Sequence, residues 1–527
     1  MTTPEATDAA PSTVAVVDIG ANSVRMEIAE LYPDGRTEVM ERLQRPVRLG
    51  RDAFVDGVLH QDTITAALSV LRDYRRLLDT YRATSIHAVA TSAVREASNA
   101  EAFLDRVSRT VGFDVDVIES SEQCRLVVSA VRHDLDGAYD LSRHTAVVVE
   151  VGGGNTLVSV LRSGQIVASQ SYDLGAIRMQ EMLATAQEQP ARAAELLRHH
   201  IGNTVDDIRK TFSLQTIGTF IAVGGDARFA ASHLGTPVAE GHLESIPIAK
   251  LERFLSQCIS ASTEELARRF SLPFAHAETL VPALLVYHAL LRATRARRVL
   301  VSRGSMRDGL LLDLPRHISG KEDPDLTRSI LASAATLGAK YQYDAEHAEH
   351  VSMLAMRLFD ELQREHGLTS WHRTLLQVAA LLHDIGSFVN NRVHHKHSCY
   401  LITNTDLFGL RRRDMAIIAL VARYHRRSVP RSDHLDYMAF PREDRMVINK
   451  LAALLRVANA LDRGHWQQLR NFALDRQGRD LVLYVHDTTD LILERHTLAG
   501  RADLFEDIFG LRLRLDEDTS GRAARLP

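Results

Sequence analysis

The 527-residue chain has only three cysteines, Cys124, Cys258 and Cys399, far apart from one another. None forms a CxxC pair or a zinc-ligand spacing, which excludes a disulfide framework and a zinc ribbon and reads as a reduced, cytoplasmic protein. There is no excess of basic residues: the formal charge is −4, with 25% charged residues of both signs. That excludes a field for nonspecific nucleic-acid binding and leaves any polyanion to local Arg and Lys clusters. Long hydrophobic runs are also missing. The most apolar segment, Leu280 to Leu291, is interrupted by Pro282 and His288 and falls short of the ~20 apolar residues that span a bilayer, so no membrane partner is expected. Residues 1–13 are polar and Pro/Ala/Thr-rich; without the basic start and apolar core of a signal peptide they read as a disordered lead-in.

What the chain has is a plan written twice. An apolar run, Val14 to Val17, ends in Asp18-Ile19-Gly20-Ala21-Asn22-Ser23, and a second strand, a turn at Pro33-Asp34-Gly35 and a third strand follow. Val147 to Val149 then lead into Glu150-Val151-Gly152-Gly153-Gly154-Asn155-Thr156, another strand, a Ser163-Gly164 turn and another strand. A strand that ends in an acid and glycines, followed by Asn and a hydroxyl residue, suits a phosphate cradle with a metal-binding carboxylate beside it. The repeat extends to a second loop in each half, Thr91-Ser92-Ala93-Val94-Arg95 and Gly224-Gly225-Asp226-Ala227-Arg228. Such loops expose N–H groups to a phosphate, and an Arg at the same offset can grip it in bidentate fashion.

A chain of this length exceeds one hydrophobic core. The lead-in is followed by four expected units, 14–134, 135–314, 325–468 and 469–527. The third is almost wholly helical and rich in His. The fourth returns to strands at Leu481 to Val485, Asp490 to Glu494 and Leu511 to Leu515 around a helix near Ala502 to Phe509.

The segments VVDIGANSVRMEIAE, VRLG, VATSAVREASN, VIESSEQCRLV, VEVGGGNTLVSV, YDLGAIRM and VSRGSMRDGLL come in the order found in exopolyphosphatases and guanosine pentaphosphate phosphatases. The chain resembles this Ppx/GppA family from Val14 to Leu515. The resemblance implies an α/β fold of duplicated actin-like domains, of the sugar kinase, heat-shock protein and actin superfamily, followed by an all-α HD-like domain and a small α+β domain. It implies phosphate contacts from Asn22, Ser23, Arg25, Thr91, Ser92, Arg95, Gly152, Gly153, Gly154, Asn155, Gly224 and Gly225, with Mg²⁺ held by Asp18 and Glu150. Substrates would be inorganic polyphosphate or guanosine penta/tetraphosphate, cut at the terminal anhydride by a homodimer with a polyphosphate channel. Arg307 and Asp308 would orient the loop near the nucleotide base in relatives that bind one.

Departures from the family pattern bear on activity. Where its Gly-Glu-Glu-Ala-Arg-Leu motif supplies the water-activating base, this chain reads Ser121-Glu122-Gln123-Cys124-Arg125-Leu126. Gln123 orients a water but does not take its proton at neutral pH. Glu122 substitutes only if its side chain turns into the cleft. Glu150 replaces an Asp, and Leu157 stands where the family has an acid. These changes expect weakened hydrolysis, with a second reading in which the actin-like half senses polyphosphate or an alarmone and regulates an HD-type phosphohydrolase.

The helical region carries His347, His383, Asp384, His397 and His425 on successive expected helices, with Asn459 and Asp462 near the end. Imidazoles and a carboxylate from separate helices can surround divalent metal, Mn²⁺ or similar, that promotes attack on a phosphate ester. The order resembles the HD phosphohydrolase superfamily, with His397 the matching ligand of the HHKHS segment. Asn459 in place of the usual Asp expects a single or weakly held metal, with Asp462 as a replacement ligand. Arg411 to Arg413 and Arg426-Arg427 read as solvated helix ends.

Overall fold

Strands β1 (Ser12–Ile19), β2 (Ser23–Leu31) and β3 (Thr37–Pro46) form an antiparallel meander, and β4 (Ser85–Ala90) and β5 (Val115–Val117) join β1 in parallel. The order is β3-β2-β1-β4-β5. β1 lies at the centre and is buried on both faces from Val14 onward, which its unbroken apolar run requires. The edge strand β3 alternates between half-buried and exposed residues.

The same sheet is built again. Strands β6 (Thr145–Val151), β7 (Thr156–Arg162) and β8 (Gln165–Tyr172) form the second meander. β9 (Thr219–Val223), β10 (Thr236–Pro237), β11 (Leu243–Pro247) and β12 (Arg298–Ser302) complete the order β10-β11-β12-β9-β6-β7-β8. β9 pairs with β6, and β12 with β9, in parallel. The segment β8-β7-β6-β9-β12 thus repeats the first sheet strand for strand, even to a register shift at Ile28/Ala29 in one and Val160/Leu161 in the other. Both glycine loops close on the same hydrogen bond, Gly20 N to Ser23 O at 3.1 Å and Gly152 N to Asn155 O at 2.9 Å.

The structure, a computed structural model, describes residues 10–238, 243–319, 324–469, 472–485 and 492–517. Most of the expected lead-in therefore lies outside the described residues, and β1 already begins at Ser12. By internal contacts the chain divides into two units, Met1–Glu322 and Asp323–Pro527.

The first unit has one core under each sheet. In one, Ile64, Leu68, Leu71 and Leu78 of the helix Gln61–Thr80 pack beneath β1, β2 and β4. In the other, the helix Phe274–Arg292 runs through the middle, with Ala283, Val286, Tyr287 and Leu290 buried. By length and composition this helix could cross a membrane, having more apolar length than its sequence suggested. Its setting is that of a core helix: the Tyr287 hydroxyl donates to Val223 O and accepts from Val151 N at 3.1 Å.

The second unit is helical from Pro324–Lys340 to Arg442–Leu461 and ends in β13 (Phe472–Gln477), β14 (Asp480–Val485) and β15 (Arg512–Glu517). The helices and this three-stranded sheet share one core, in which Phe472, Leu483, Phe505 and Leu515 join Leu451, Leu454 and Leu455. β13 went unforeseen. The strand expected over Asp490 to Glu494 is corrected: its described part opens the helix Ile492–Ala499, which lays Leu498 into the shared core, and the rest lies outside the described residues.

Candidate functional site

Between the two halves of the first unit lies a cleft of about 340 Å³. Its lining includes Asp18, Asn22, Arg25, Thr91, Ser92, Gln123, Glu150, Gly152, Gly153, Gly154, Asn155, Gly224 and Gly225, which the sequence analysis named. Topology explains the convergence, because β1 is the central strand of its sheet, β6 holds the same place in the repeated five-strand segment, and both end at the cleft.

The glycine loop of the second half has its polarity fixed from behind. Gly152 O accepts from Ala176 N, Gly153 O from Ile177 N, and Gly154 O from Arg178 Nε at 2.6 Å. A trans peptide carries its N–H opposite its carbonyl. The N–H groups of Gly153, Gly154 and Asn155 are thereby turned away from the helix Ala176–Met182, as an anion cradle requires. Gly175 makes this contact: a Cβ there would stand 2.2 Å from Gly154 C and 2.4 Å from Gly153 O. Gly154 in turn meets the first half, where a Cβ would lie 2.2 Å from Ser92 Oγ. Arg178 ties the same loop across to Glu96 through two bonds of 2.6 and 2.7 Å. These contacts come from the YDLGAIRM segment, whose sequence alone shows no task for Gly175 or Arg178.

Charge is dense within the cleft. Asp18 Oδ2 lies 3.2 Å from Arg25 Nη1 and 3.4 Å from Arg307 Nη1. Glu150 is half-buried, its Oε2 is enclosed without a hydrogen-bond partner, and desolvation, then the nearby Asp18 charge, push its carboxyl up to about 7. Asp226, which accepts from Thr279 Oγ1 at 3.0 Å, is pushed up to about 6 by burial. Arg228 lines the cleft with Nη1 buried and unpartnered, and burial, followed by repulsion from Arg307 and Arg25, lowers its pKa. Asp226, Thr279 and His276 were not singled out from sequence. Arg307 lines the cleft as a cation, bonded to Glu27 Oε1 at 2.7 Å.

Three expected site residues do not line the cleft. Glu122 is turned away and clamped by Arg125, whose Nε and Nη2 donate to its two oxygens at 2.8 Å each while Nη2 also pairs with Asp313. Arg95 donates to Ile118 O at 2.7 Å and Ser120 Oγ at 3.0 Å, fastening the start of the helix Ser120–Leu135 rather than facing the loops. Ser23 is buried, with its carbonyl closing the Gly20 turn. Gln123, by contrast, faces the cleft, and its Oε1 is buried without a hydrogen-bond partner.

In the second unit, His347, His383, Asp384 and His425 come together, and the fifth member is His394 rather than His397. His394 opens the helix His394–Thr403, and its Nε2 lies 3.0 Å from Asp384 Oδ1. Gly386 sets that approach, since a Cβ there would meet His394 O at 2.2 Å. His397, a turn further along, belongs to neither ligand triad. Asp462 is corrected from ligand to orienting group: its Oδ2 lies 2.7 Å from His347 Nδ1 and its Oδ1 accepts from Gln467 N. Asn459, buried, is likewise in neither triad. Burial holds the His425 imidazole well below its usual range and lowers that of His383, so both rings are neutral at pH 7. Arg426 is half-buried, with Nη1 3.3 Å from His394 Nε2, and is no solvated helix end.

A repeated α/β sheet with paired glycine loops, acids and arginines at one cleft defines a duplicated two-half fold with a charged interdomain cleft. Residues 28–317 match the Ppx/GppA phosphatase family, and residues 331–504 match Ppx/GppA phosphatase, domain III. The chain belongs to the Ppx/GppA phosphatase family. Among solved structures it is similar to an exopolyphosphatase from Cytophaga hutchinsonii, at 19% identity and TM-score 0.53 over 59% of this chain and 99% of that one. An exopolyphosphatase-like protein matches at 21% identity and TM-score 0.50, covering 59% and 100% of the two chains. The Aquifex aeolicus family member matches at 24% identity and TM-score 0.49, covering 59% and 100%.

Proposed function

We propose that the cleft binds the terminal phosphates of inorganic polyphosphate or guanosine pentaphosphate and hydrolyses the end anhydride slowly, with Mg²⁺ on Asp18 and Glu150. The observation that carries this reading is the Gln123 side chain, which lines the cleft with its Oε1 buried and unpartnered, while Glu122 is held outside it by Arg125. The second carboxylate beside Asp18, that of Glu150 with its Oε2 enclosed and missing a partner, fits a divalent cation. Such an ion neutralises phosphoryl oxygens when bound. The Gly153 to Asn155 N–H groups take oxygens of the terminal phosphate, and Arg25, Arg228 and Arg307 balance its charge.

Gln123 Oε1 accepts a hydrogen bond from water and aims it at the terminal phosphorus. A water P–O bond forms, the bridging P–O bond breaks, its oxygen leaves on the shortened chain, and the water proton ends on the released orthophosphate. Gln123 positions this water without taking its proton, and a general base is worth ~10²–10⁴-fold. The test is phosphate release from long-chain polyphosphate by the native chain and Gln123→Glu. A rise of at least ~10²-fold in kcat at similar KM is expected; an unchanged or lower rate removes position 123 from the reacting water.

The same clamped Glu122 favours a second reading, in which the native cleft binds phosphate chains as a sensor without turnover. Tight polyphosphate binding with no release by the native chain, and release by Gln123→Glu, selects it.

A further inference from the structure

We propose that Tyr287, buried in the core under the second sheet, is a positioning residue of the cleft: its hydroxyl sets the gap between the glycine loops that begin at Gly152 and Gly224. The inference rests on the reading of this cleft as a phosphate site and adds a residue that touches neither phosphate nor metal in it.

The first ground is where the hydroxyl sits in the sheet. β6 and β9 run in parallel, and their register ends at the pair Glu150 and Val223. The next rung of such a ladder would carry Val151 N–H to Val223 O. The Tyr287 hydroxyl takes that rung instead, accepting from Val151 N at 3.1 Å and donating to Val223 O. Val151, Val223 and Tyr287 are all buried, so no water stands in for it. Two hydrogen bonds in series span more than the ~2.9 Å of a direct one. The strand ends are thus held apart at the residues from which both glycine loops depart.

The second ground is Gly224, which is shaped around the same contact. Its φ of 126° is a conformation that residues with side chains rarely adopt. A Cβ there would lie 3.0 Å from Tyr287 Oη and 3.3 Å from Val151 O, so hydroxyl, loop and strand end meet at one point. Two turns earlier on the helix Phe274–Arg292, Thr279 Oγ1 donates to Asp226 Oδ1 at 3.0 Å. One helix therefore holds the Gly224-Gly225-Asp226 loop at both ends, through the polar atoms of two side chains, while Ala283, Val286 and Leu290 around them are core.

The third ground is that packing asks only for the ring. Phe220 and Phe254 fill this core without a hydroxyl. An oxygen bonded to two strands at once acts on their separation, and an anion between two sets of N–H groups needs both within about 2.7–3.2 Å. A gap that closes onto a direct rung takes one set out of reach.

The test is calorimetric titration of the full chain with inorganic polyphosphate in Mg²⁺, beside thermal melts, for the native protein, Tyr287→Phe, Tyr287→Met and Leu290→Ala. Tyr287→Phe is expected to raise Kd ~10-fold or more, the scale of one hydrogen bond to a charged group. Tyr287→Met, which refills the core without a hydroxyl, should do the same. Leu290→Ala, a core change on the same helix, is expected to lower the melting temperature at least as far while keeping Kd within about twofold. Near-native affinity in either hydroxyl-free variant, or an equal loss in Leu290→Ala, makes Tyr287 a packing residue and overturns the proposal while leaving the phosphate site in place. A native chain that binds no polyphosphate overturns both.

Discussion

Asp18 and Glu150 occupy the same place in a repeated strand, each one residue from its end, yet only Asp18 has an arginine across the neighbouring strand. Asp18 pairs with Arg25 in register, whereas Glu150 pairs with Leu157. The duplication gives two acids one address, and the cross-strand partner gives them different electrostatics. Glu150 is left as the carboxylate in want of a cation.

Mg²⁺ is therefore expected to raise the melting temperature of the native chain, since a ligand at 100 times its Kd contributes about 2.7 kcal/mol. In Glu150→Gln that rise should fall by more than half, because Asp18 is already satisfied by Arg25 and Arg307. Thermal denaturation with and without Mg²⁺ checks this, and equal shifts in both proteins would remove Glu150 from the metal site.

Asp226 sets a pH dependence. Its carboxyl titrates at about 6 in the fold against about 3.9 when unfolded, so folding favours its neutral form. The stabilisation is complete below pH ~4 and is lost as pH rises through about 6. Asp226→Asn keeps an acceptor for Thr279, so it should exceed the native chain in stability at pH 8 by up to ~3 kcal/mol, with the advantage gone near pH 4. Urea denaturation at several pH values measures it.

Arg95 and Arg228 are equivalent in sequence and unlike in the fold. Arg228→Ala should weaken polyphosphate binding ~10–100-fold, the scale of one or two hydrogen bonds to a charged group. Arg95→Ala should leave affinity within a few-fold and lower the melting temperature, because Arg95 fastens Ile118 and Ser120. Calorimetric titration of both variants separates the roles.

Gly175→Ala places a methyl group against the Gly153-Gly154 backbone. Backbone cannot rotate aside as a side chain does, so a loss of ~1–3 kcal/mol in stability is expected, together with weaker phosphate binding. Unchanged binding would show that the loop tolerates displacement.

The repeat, its strands and both glycine loops were legible because apolar β-branched runs, terminal acids and turn glycines are written locally. Side-chain direction was not. Glu122 and Gln123 are adjacent on one helix, and which enters the cleft depends on Arg125 and Asp313, the latter far along the chain. His394 and His397 lie in one helix packed closely on Gly386, and it is His394 whose Nε2 reaches Asp384, a direction set by the rotation of that helix rather than by its sequence order. The segment after residue 469 misled for a related reason: a short apolar stretch suits strand or helix equally, and the shared core chose helix for Ile492–Ala499.

That shared core has a consequence for how the second unit comes apart. Phe472, Leu483, Phe505 and Leu515 are buried among helical residues such as Leu451 and Leu455, so the terminal sheet and the helices carrying His383, Asp384 and His425 lose their packing together. Cutting the chain near residue 469 would expose one wall of the helical bundle instead of releasing a finished domain. Unfolding of this unit is then a single cooperative event, and the histidine cluster owes its rigidity in part to strands that supply none of its ligands.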